Sequence, residues 1–335
     1  MKKLVLGLLF TFFLSSRCFA SNDVFECHEF TTLFTHVLSK IDTHERFHFQ
    51  EILERNVREF IREVNISAEN YSLSQFCENI SPYLEENPTV FFVQLTQAVL
   101  EDMDKYSLFK VTREVRSQYQ ILNGTHAAPQ NKQITHQYFG NILYIKINGF
   151  FKEKDQNNND ISIVPTYIKN LVENSPNLNT QGKIIIDLRG NQGGSTVEAT
   201  RTVDLFLPEN LRVMTYHLRG AEREGKIDTI TPQLILAPVD ILVNRDTASS
   251  AEILAGALQH YGRARILGEK TYGKTEIVQE LELIKDLNIQ FDAKVRYTYG
   301  RYWIAENISA TDLKPDIYLE NPDAPIEELL EIINH

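Results

Sequence analysis

Apolar side chains recur at helical spacing through the first third of the chain. Between Phe49 and Val64 they repeat every three or four positions, with Glu51 and Arg55 paired on the opposite face, which predicts an amphipathic helix. Weaker patterns of the same period predict helices at Phe30–Ile41, Ser72–Tyr83 and Thr89–Met103. We therefore expect a small helical domain over residues 21–121.

Apolar runs alternate with helical patterns in the rest of the chain, after a polar stretch with Gly and Pro that we interpret as a linker over residues 122–138. The predicted strands are Ile142–Ile147, Lys183–Leu188, Val239–Val243 and Arg265–Gly268. The predicted helices are Val164–Val172, Ser195–Phe206, Ser250–Tyr261 and a last one begun by Asp323 and Pro325, after a β-rich stretch that ends near Ile304. This alternation indicates an α/β domain with parallel strands over residues 139–335.

The N-terminus has the three parts of a secretory signal peptide over residues 1–20. Lys2 and Lys3 precede the apolar run Leu4–Leu14, and small residues lead to Ala20, where we expect cleavage. A membrane anchor is the weaker alternative, because the run is shorter than the roughly 20 residues that span a bilayer. We expect a periplasmic or secreted protein with no membrane span after signal removal.

Composition and charge narrow the function classes. The chain has 335 residues, 42% of them hydrophobic and 24% charged, which is typical of a globular protein of about two domains. Its formal net charge of −11 repels phosphate backbones. Nucleic acid is therefore not an expected partner.

Cysteine usage agrees with export. Cys18 lies in the signal, so the mature chain would hold only Cys27 and Cys77. An even pair in an oxidising compartment predicts a disulfide, although two buried thiols remain an alternative.

Two motif matches point to other chemistries. His44-Glu45-Arg46-Phe47-His48 satisfies His-Glu-x-x-His, which on a helix can hold zinc. No third ligand is marked, and we interpret the two histidines as solvated residues near a helix start. We expect no metal site.

The second match, Gly268 to Thr275, fits the phosphate-binding P-loop pattern letter for letter and follows a strand. The strand that ends in Asp187, which would mimic the metal-binding strand of such proteins, precedes the loop instead of following it. An exported protein also meets almost no ATP. We interpret this match as a coincidence and expect no nucleotide or other cofactor.

A third constellation accounts better for the lysine of that loop. Asp187-Leu188-Arg189-Gly190-Asn191-Gln192-Gly193-Gly194 follows a buried strand, and Thr247-Ala248-Ser249-Ser250-Ala251-Glu252 leads into a helix. Lys274 comes 25 residues after Ser249. In their order and spacing these segments resemble the C-terminal processing, or tail-specific, serine peptidases. The resemblance implies a ClpP/crotonase-like α/β peptidase core preceded by a small helical domain.

A serine–lysine pair can perform nucleophilic catalysis without a histidine. A serine hydroxyl needs a base to take its proton, and burial can lower the pKa of a lysine until its neutral form serves. Ser249 and Lys274 are therefore the predicted nucleophile and base. The family pattern favours Ser249 over Ser250, Lys270 is the rival base, and Glu252 is interpreted as structural.

The oxyanion of the reaction needs backbone N–H donors. The first turn of a helix leaves such groups unpaired, so the amide of Ser250 is one expected donor. Gly193 and Gly194 would supply the second, because residues without side chains let the backbone approach a substrate carbonyl. A tight strand-to-helix turn would require the same glycines and is compatible with this role.

The sequence departs from the family pattern in two places. A glutamine usually follows the lysine by four residues and orients it, whereas here Gln279 follows by five. Gln279 is still the predicted orienting residue, although a one-residue shift turns a strand side chain to the other face. Family members commonly carry a PDZ domain that grips a substrate's C-terminus, and the stretch from Gln118 to Tyr144 leaves no room for one.

The sequence therefore predicts an exported serine endopeptidase that cuts protein or peptide substrates through an acyl-enzyme. Substrate selection would need another surface or an adaptor protein. The alternative is a catalytically silent binding module for peptides or other ligands on the same fold, for which a serine and a lysine at this spacing would have no use.

Overall fold

The protein is described by a computed structural model. It covers residues 27–38, 51–53, 55–57, 77, 88–103, 107–111, 133–151, 153–154, 160–219, 224–287 and 293–333. The helices are α1 (Cys27–Leu38), α2 (Pro88–Met103), α3 (Val164–Glu173), α4 (Leu178–Gln181), α5 (Thr196–Asp204), α6 (Ser250–His260), α7 (Leu283–Leu287) and α8 (Ile326–Ile333). The strands are β1 (Leu108–Val111), β2 (Ile134–Phe139), β3 (Ile142–Ile147), β4 (Glu153–Lys154), β5 (Asp160–Ile161), β6 (Lys183–Asp187), β7 (Arg212–Leu218), β8 (Gly225–Asp228), β9 (Val239–Val243), β10 (Ala264–Gly268), β11 (Glu276–Glu282), β12 (Ala293–Ile304) and β13 (Ile317–Tyr318).

The chain divides into two compact units. The first consists of residues 1–127, 218–222 and 277–300, and the second of residues 128–217, 223–276 and 301–335. The change of unit after residue 127 falls within the predicted linker. Residues 277–300, which the sequence analysis placed in the core domain, belong to the first unit instead.

The first unit has an aromatic core. Phe30 and Phe34, one turn apart on α1, have ring centroids 4.7 Å apart, and Phe92 of α2 lies 5.5 Å from Phe30. The strands β11 and β12 add buried residues to the same cluster, among them Leu281 and Tyr297. This explains why residues 277–300 group with the helices, since their apolar side chains complete that core.

The helices predicted in the first unit agree with the structure where it is described. Residues 51–53 and 55–57 are helical, and Ile52 and Val57 are buried. A disulfide joins Cys27 and Cys77, whose Cα atoms are 5.6 Å apart, which confirms the predicted pair. The signal sequence and the motif from His44 to His48 lie outside the described residues.

The second unit is built on a six-stranded sheet in the order β13-β10-β9-β6-β3-β2. Neighbouring strands from β13 to β3 are parallel, and β2 is antiparallel to β3. Every residue of β9 is buried, and α6 is buried from Ser250 to Leu258. The predicted α/β domain with parallel strands is therefore confirmed, and the strands carry the loops that follow them to one edge of the sheet.

Several strands were not predicted, among them β1, β7 and β8, and β2 replaces part of the expected linker. Residues 134–138, assigned to the linker, form most of β2, which turns at Gly140 into β3. Four of the six β2 residues are exposed, so the strand lacks the alternation of buried and exposed positions that identifies a strand in a sequence. Gly140 has φ of 61°, a conformation that suits a tight hairpin turn.

The part of the chain that is described contains no helix with the length and hydrophobicity needed to cross a membrane.

Candidate active site

Ser249 lies at the junction between β9 and α6. Its φ of 56° and ψ of −121° fall outside the regions that a non-glycine residue ordinarily adopts. Ser249 and Glu252 form a capping box at the start of α6, in which the Glu252 side chain accepts from the Ser249 amide. A strained backbone of this kind is typical of a functional position.

Lys274 lies in the loop that follows β10, the parallel neighbour of β9. The last residues of these strands, Val243 and Gly268, are partners in the register, so both loops leave the same edge of the sheet. We call residues 244–249, between β9 and α6, the serine loop, and residues 269–275, between β10 and β11, the lysine loop. The amide of Tyr272 donates to the carbonyl of Thr247 at 3.0 Å, which joins the two loops. The fold thus brings together the two loops that carry the predicted nucleophile and base.

The side chain of Glu252 connects these loops more directly. It is fully buried in α6, three residues after Ser249. Its Oε2 accepts from the amides of Ser249 at 2.7 Å and Lys274 at 3.0 Å, and its Oε1 accepts from Thr271 Oγ1 and the Gly273 amide, both at 2.7 Å. Burial raises the pKa of this carboxyl, and the four hydrogen bonds offset part of that increase.

This contact also explains what the P-loop pattern does here. A P-loop binds phosphate through backbone amides, and in this loop the amides of Gly273 and Lys274 bind the Glu252 carboxylate instead. The loop therefore holds an internal anion, which supports the interpretation of the match as a coincidence.

The turn that follows β6, residues 188–194, lies against the serine loop, and we call it the glycine turn. A Cβ atom added to Gly193 would stand 2.8 Å from Ser249 Cβ and 2.8 Å from the Ala248 carbonyl oxygen. The Ser250 hydroxyl donates to the carbonyl of Gly194 at 2.9 Å. Gly193 and Gly194 have φ of 96° and 131°, so this close approach depends on their lack of a side chain.

The amides around Ser249 are not equally available. The amide of Gly193 donates to Asn191 Oδ1 at 2.8 Å, so it is already paired. Among the described residues we find no acceptor for the amides of Gly194 and Ser250. Of the three predicted oxyanion donors, the geometry thus favours Gly194 and Ser250 over Gly193.

A buried charge network holds the first residues of the glycine turn in place. Asp187, the last residue of β6, accepts from Lys146 Nζ at 3.0 Å, from the Tyr144 hydroxyl at 2.7 Å, and from the guanidinium and amide of Arg189. Burial alone would raise the pKa of Asp187, but the hydrogen bonds from Arg189 and the charge of Lys146 outweigh it and lower this pKa. Burial lowers the pKa of Lys146. The segment from Asp187 to Arg189 is therefore fixed by ionic contacts.

Gln279, the predicted orienting residue, lies on β11. Its Oε1 accepts from the hydroxyl of Tyr297 at 2.7 Å. Its role beside Lys274 stays a prediction. Lys270, the rival base, is exposed.

Two sets of contacts were not predicted: those of Glu252 with both loops, and the one in which the Asn191 side chain accepts from the Gly193 amide. Ser249-x-x-Glu252 has the spacing of a helix capping box, in which the glutamate accepts from the amide of the first residue, and that signal could have identified one of its four contacts. The contacts with the lysine loop depend on the distance between α6 and residues that lie 19 to 22 positions after Glu252. Nothing in the local sequence encodes that distance.

The sequence of this chain is similar to that of one protein family and of two known proteases. Residues 141–319 match the family model described as peptidase family S41. The chain is 32% identical over 145 residues to the "Probable CtpA-like serine protease" of Staphylococcus aureus strain N315, and 36% identical over 144 residues to the "Carboxyl-terminal-processing protease" of Synechocystis sp. strain PCC 6803. These alignments cover 42% and 41% of this chain but only 28% and 31% of the relatives. The chain thus matches less than a third of the length of either relative.

Solved structures share the fold. The photosystem II D1 C-terminal processing protease aligns with a TM-score of 0.52 and 16% identity, over 86% of this chain and 97% of that one. A lipoprotein from Streptococcus agalactiae aligns with a TM-score of 0.50 and 17% identity, over 88% and 96% of the two chains.

Proposed function

Because this chain belongs to peptidase family S41, we propose that it is a serine endopeptidase in which Ser249 is the nucleophile and Lys274 the general base. The observation that carries the proposal is the Glu252 carboxylate, which accepts from the amides of both residues. A buried carboxylate with four hydrogen bonds to two loops holds those loops in one arrangement. The strained backbone of Ser249 gives independent support.

The reaction would proceed through an acyl-enzyme. The neutral amine of Lys274 takes the proton of the Ser249 hydroxyl while Oγ attacks the carbonyl carbon of the scissile peptide. The tetrahedral intermediate collapses as the C–N bond breaks, and the lysine ammonium returns the proton to the leaving amine. A water molecule, deprotonated by the same amine, then hydrolyses the ester and releases the acid product.

The negative oxygen of the intermediate would be stabilised by the amides of Gly194 and Ser250. These two amides come from different loops, and the hydrogen bond between the Ser250 hydroxyl and the Gly194 carbonyl sets their spacing. The amide of Ser250 also lies at the positive end of α6, which favours a developing anion.

The substrate class follows from the family and is a protein or peptide chain. The sequence predicts no PDZ domain between the helical region and the core, so we propose that substrates are selected by the surface beside Ser249 or by an adaptor protein. The predicted signal peptide and the Cys27–Cys77 disulfide support a periplasmic or secreted protein, because such disulfides persist in oxidising compartments.

The test is digestion of an unfolded protein by the purified mature chain. Wild type should produce fragments and the Ser249→Ala variant none, whereas Ser175→Ala, a change at a serine in the turn after α3, should behave as wild type. Binding of the unfolded protein without cleavage by wild type would favour the binding-module alternative. Cleavage by Ser249→Ala at the wild-type rate would exclude Ser249 as the nucleophile.

A further inference from the structure

Three segments far apart in the sequence meet at one buried side chain in the second unit. The first is the glycine turn after β6, the second is the serine loop that begins at Asn244, and the third is the stretch before α8. Asn244 is almost fully buried, with 6% of its surface exposed. Its position lets it contact all three.

Asn244 uses both ends of its carboxamide. Its Oδ1 accepts from the Gly190 amide at 2.9 Å and from the Asp246 amide at 3.2 Å. Its Nδ2 donates to Asp323 Oδ1 at 2.8 Å. The oxygen thus joins the glycine turn to the serine loop, and the nitrogen joins both to the C-terminal segment.

A second contact reinforces this connection. Arg189 Nη1 donates to the carbonyls of Pro322 and Ala324 at 2.9 and 2.7 Å, on either side of Asp323. The same guanidinium is held by Asp187. The backbone around Asp323 is therefore fixed, and its carboxylate is held where Asn244 can reach it.

We infer that Asn244 and Asp323 are positioning residues that fix the distance between the glycine turn and the serine loop. Neither is a catalytic residue, since neither contacts the reacting atoms in the proposed mechanism. The inference rests on the proposed function for its effect on catalysis, but the structural coupling across about 130 residues of sequence can be measured without it.

The chemistry of the pair suggests a swap experiment. Asn244→Asp removes the Nδ2 donor and places a second carboxylate, at a buried position, against that of Asp323, whose own residue is exposed. Two like charges in contact are unfavourable. Asp323→Asn keeps an acceptor for Asn244 and should be nearly neutral. The double variant exchanges donor and acceptor, so it restores the hydrogen bond, keeps an oxygen for the Gly190 amide, and has the net charge of wild type.

The first measurement is hydrogen–deuterium exchange of the full mature chain, followed by mass spectrometry of peptides that cover residues 188–194 and 319–325. Asn244→Asp should accelerate exchange in both peptides by about tenfold. The variant loses the hydrogen bond from the Asn244 carboxamide to the Asp323 carboxylate, and with it the connection between the two segments. Asp323→Asn and the double variant should exchange as wild type. Unchanged exchange at residues 188–194 in Asn244→Asp would overturn the inference, as would a failure of Asp323→Asn to rescue it.

The second measurement is the kinetics of proteolysis in the same four proteins. Asn244→Asp should lower kcat by about tenfold with KM within about twofold of wild type, and the double variant should recover kcat. Restored exchange without restored kcat would overturn the positioning role. Absence of cleavage by wild type, with the exchange pattern as expected, would instead count against the proposed function.

Discussion

The backbone amides of Ser249 and Lys274 donate to one and the same oxygen atom, Oε2 of Glu252, at 2.7 and 3.0 Å. The two residues belong to loops that follow neighbouring parallel strands. A single buried carboxylate therefore fixes the separation between the backbone of the proposed nucleophile and that of its base.

Glu252→Gln tests this arrangement. Glutamine offers one acceptor oxygen in place of two, and its NH₂ group would face amides that also donate. We expect a loss of kcat/KM of about a hundredfold, comparable to the removal of a preorganised hydrogen bond in an active site. The matched control is Glu269→Gln, which removes the charge from a contact with Arg245, a side chain that is 75% exposed, and should keep nearly full activity. Equal activity in Glu252→Gln and wild type would separate this carboxylate from catalysis.

Gly194→Ala tests the close packing of the glycine turn. A Cβ atom at this position would lie 2.1 Å from the carbonyl oxygen of Phe150, and the φ of 131° disfavours any side chain. We expect a loss of at least about 2 kcal/mol in the free energy of unfolding, together with loss of activity.

Gly262→Ala is the control for backbone strain alone. Its φ of 63° is also positive, but no atom lies within 4 Å of the added Cβ. It should cost about 1 kcal/mol and leave activity intact. Both free energies can be obtained from denaturant titrations. A Gly194→Ala variant as stable as Gly262→Ala would show that the turn can move away from Phe150.

Asp187→Asn should make stability less dependent on pH. Because the folded state lowers the pKa of Asp187 below its ordinary value of 3.8, ionised Asp187 stabilises the fold above that value. This contribution is lost as the pH falls through the depressed pKa. The free energy of unfolding of wild type should therefore exceed that of Asp187→Asn at pH 7, and the difference should shrink toward pH 2.

Urea titrations at both pH values provide this measurement. Asp228→Asn, which removes an ion pair with Arg212 at a more exposed position, should show a smaller difference at pH 7. A constant gap between wild type and Asp187→Asn over the whole range would mean that the charge of Asp187 contributes nothing.

Lys274→Arg should abolish proteolysis, because a guanidinium stays protonated and cannot take the serine proton. Lys270→Arg, four residues earlier in the same loop, should retain activity because Lys270 is exposed and has no assigned role. Initial rates on an unfolded protein compare the two variants directly. Loss of activity in Lys270→Arg with retention in Lys274→Arg would exchange the two assignments.

The sequence was most informative where one short segment determines its own structure. Strand β9 is apolar except for Asp240 and α6 begins directly after a serine, and both elements lie where they were predicted, to within one residue. Strand β2 escaped prediction because most of its residues are exposed and its partner, not its pattern, holds it in the sheet.

The supporting contacts could not be predicted for a different reason. Asn244 meets Asp323 across 79 residues, and Lys146 meets Asp187 across 41. Polar side chains of this kind carry no periodicity, and their partners are chosen by the three-dimensional path of the chain. Only the order of the motifs, which fixes the loops at one sheet edge, was accessible from the sequence.

The central claim is that Ser249 is a nucleophile activated by Lys274, and covalent labelling with a fluorophosphonate tests it most directly. Mass spectrometry of the digested wild-type protein should locate one stoichiometric adduct on Ser249, and Lys274→Arg should label at least about a hundredfold more slowly. An adduct on Ser250 or another serine, or equal labelling rates in wild type and Lys274→Arg, would contradict the account.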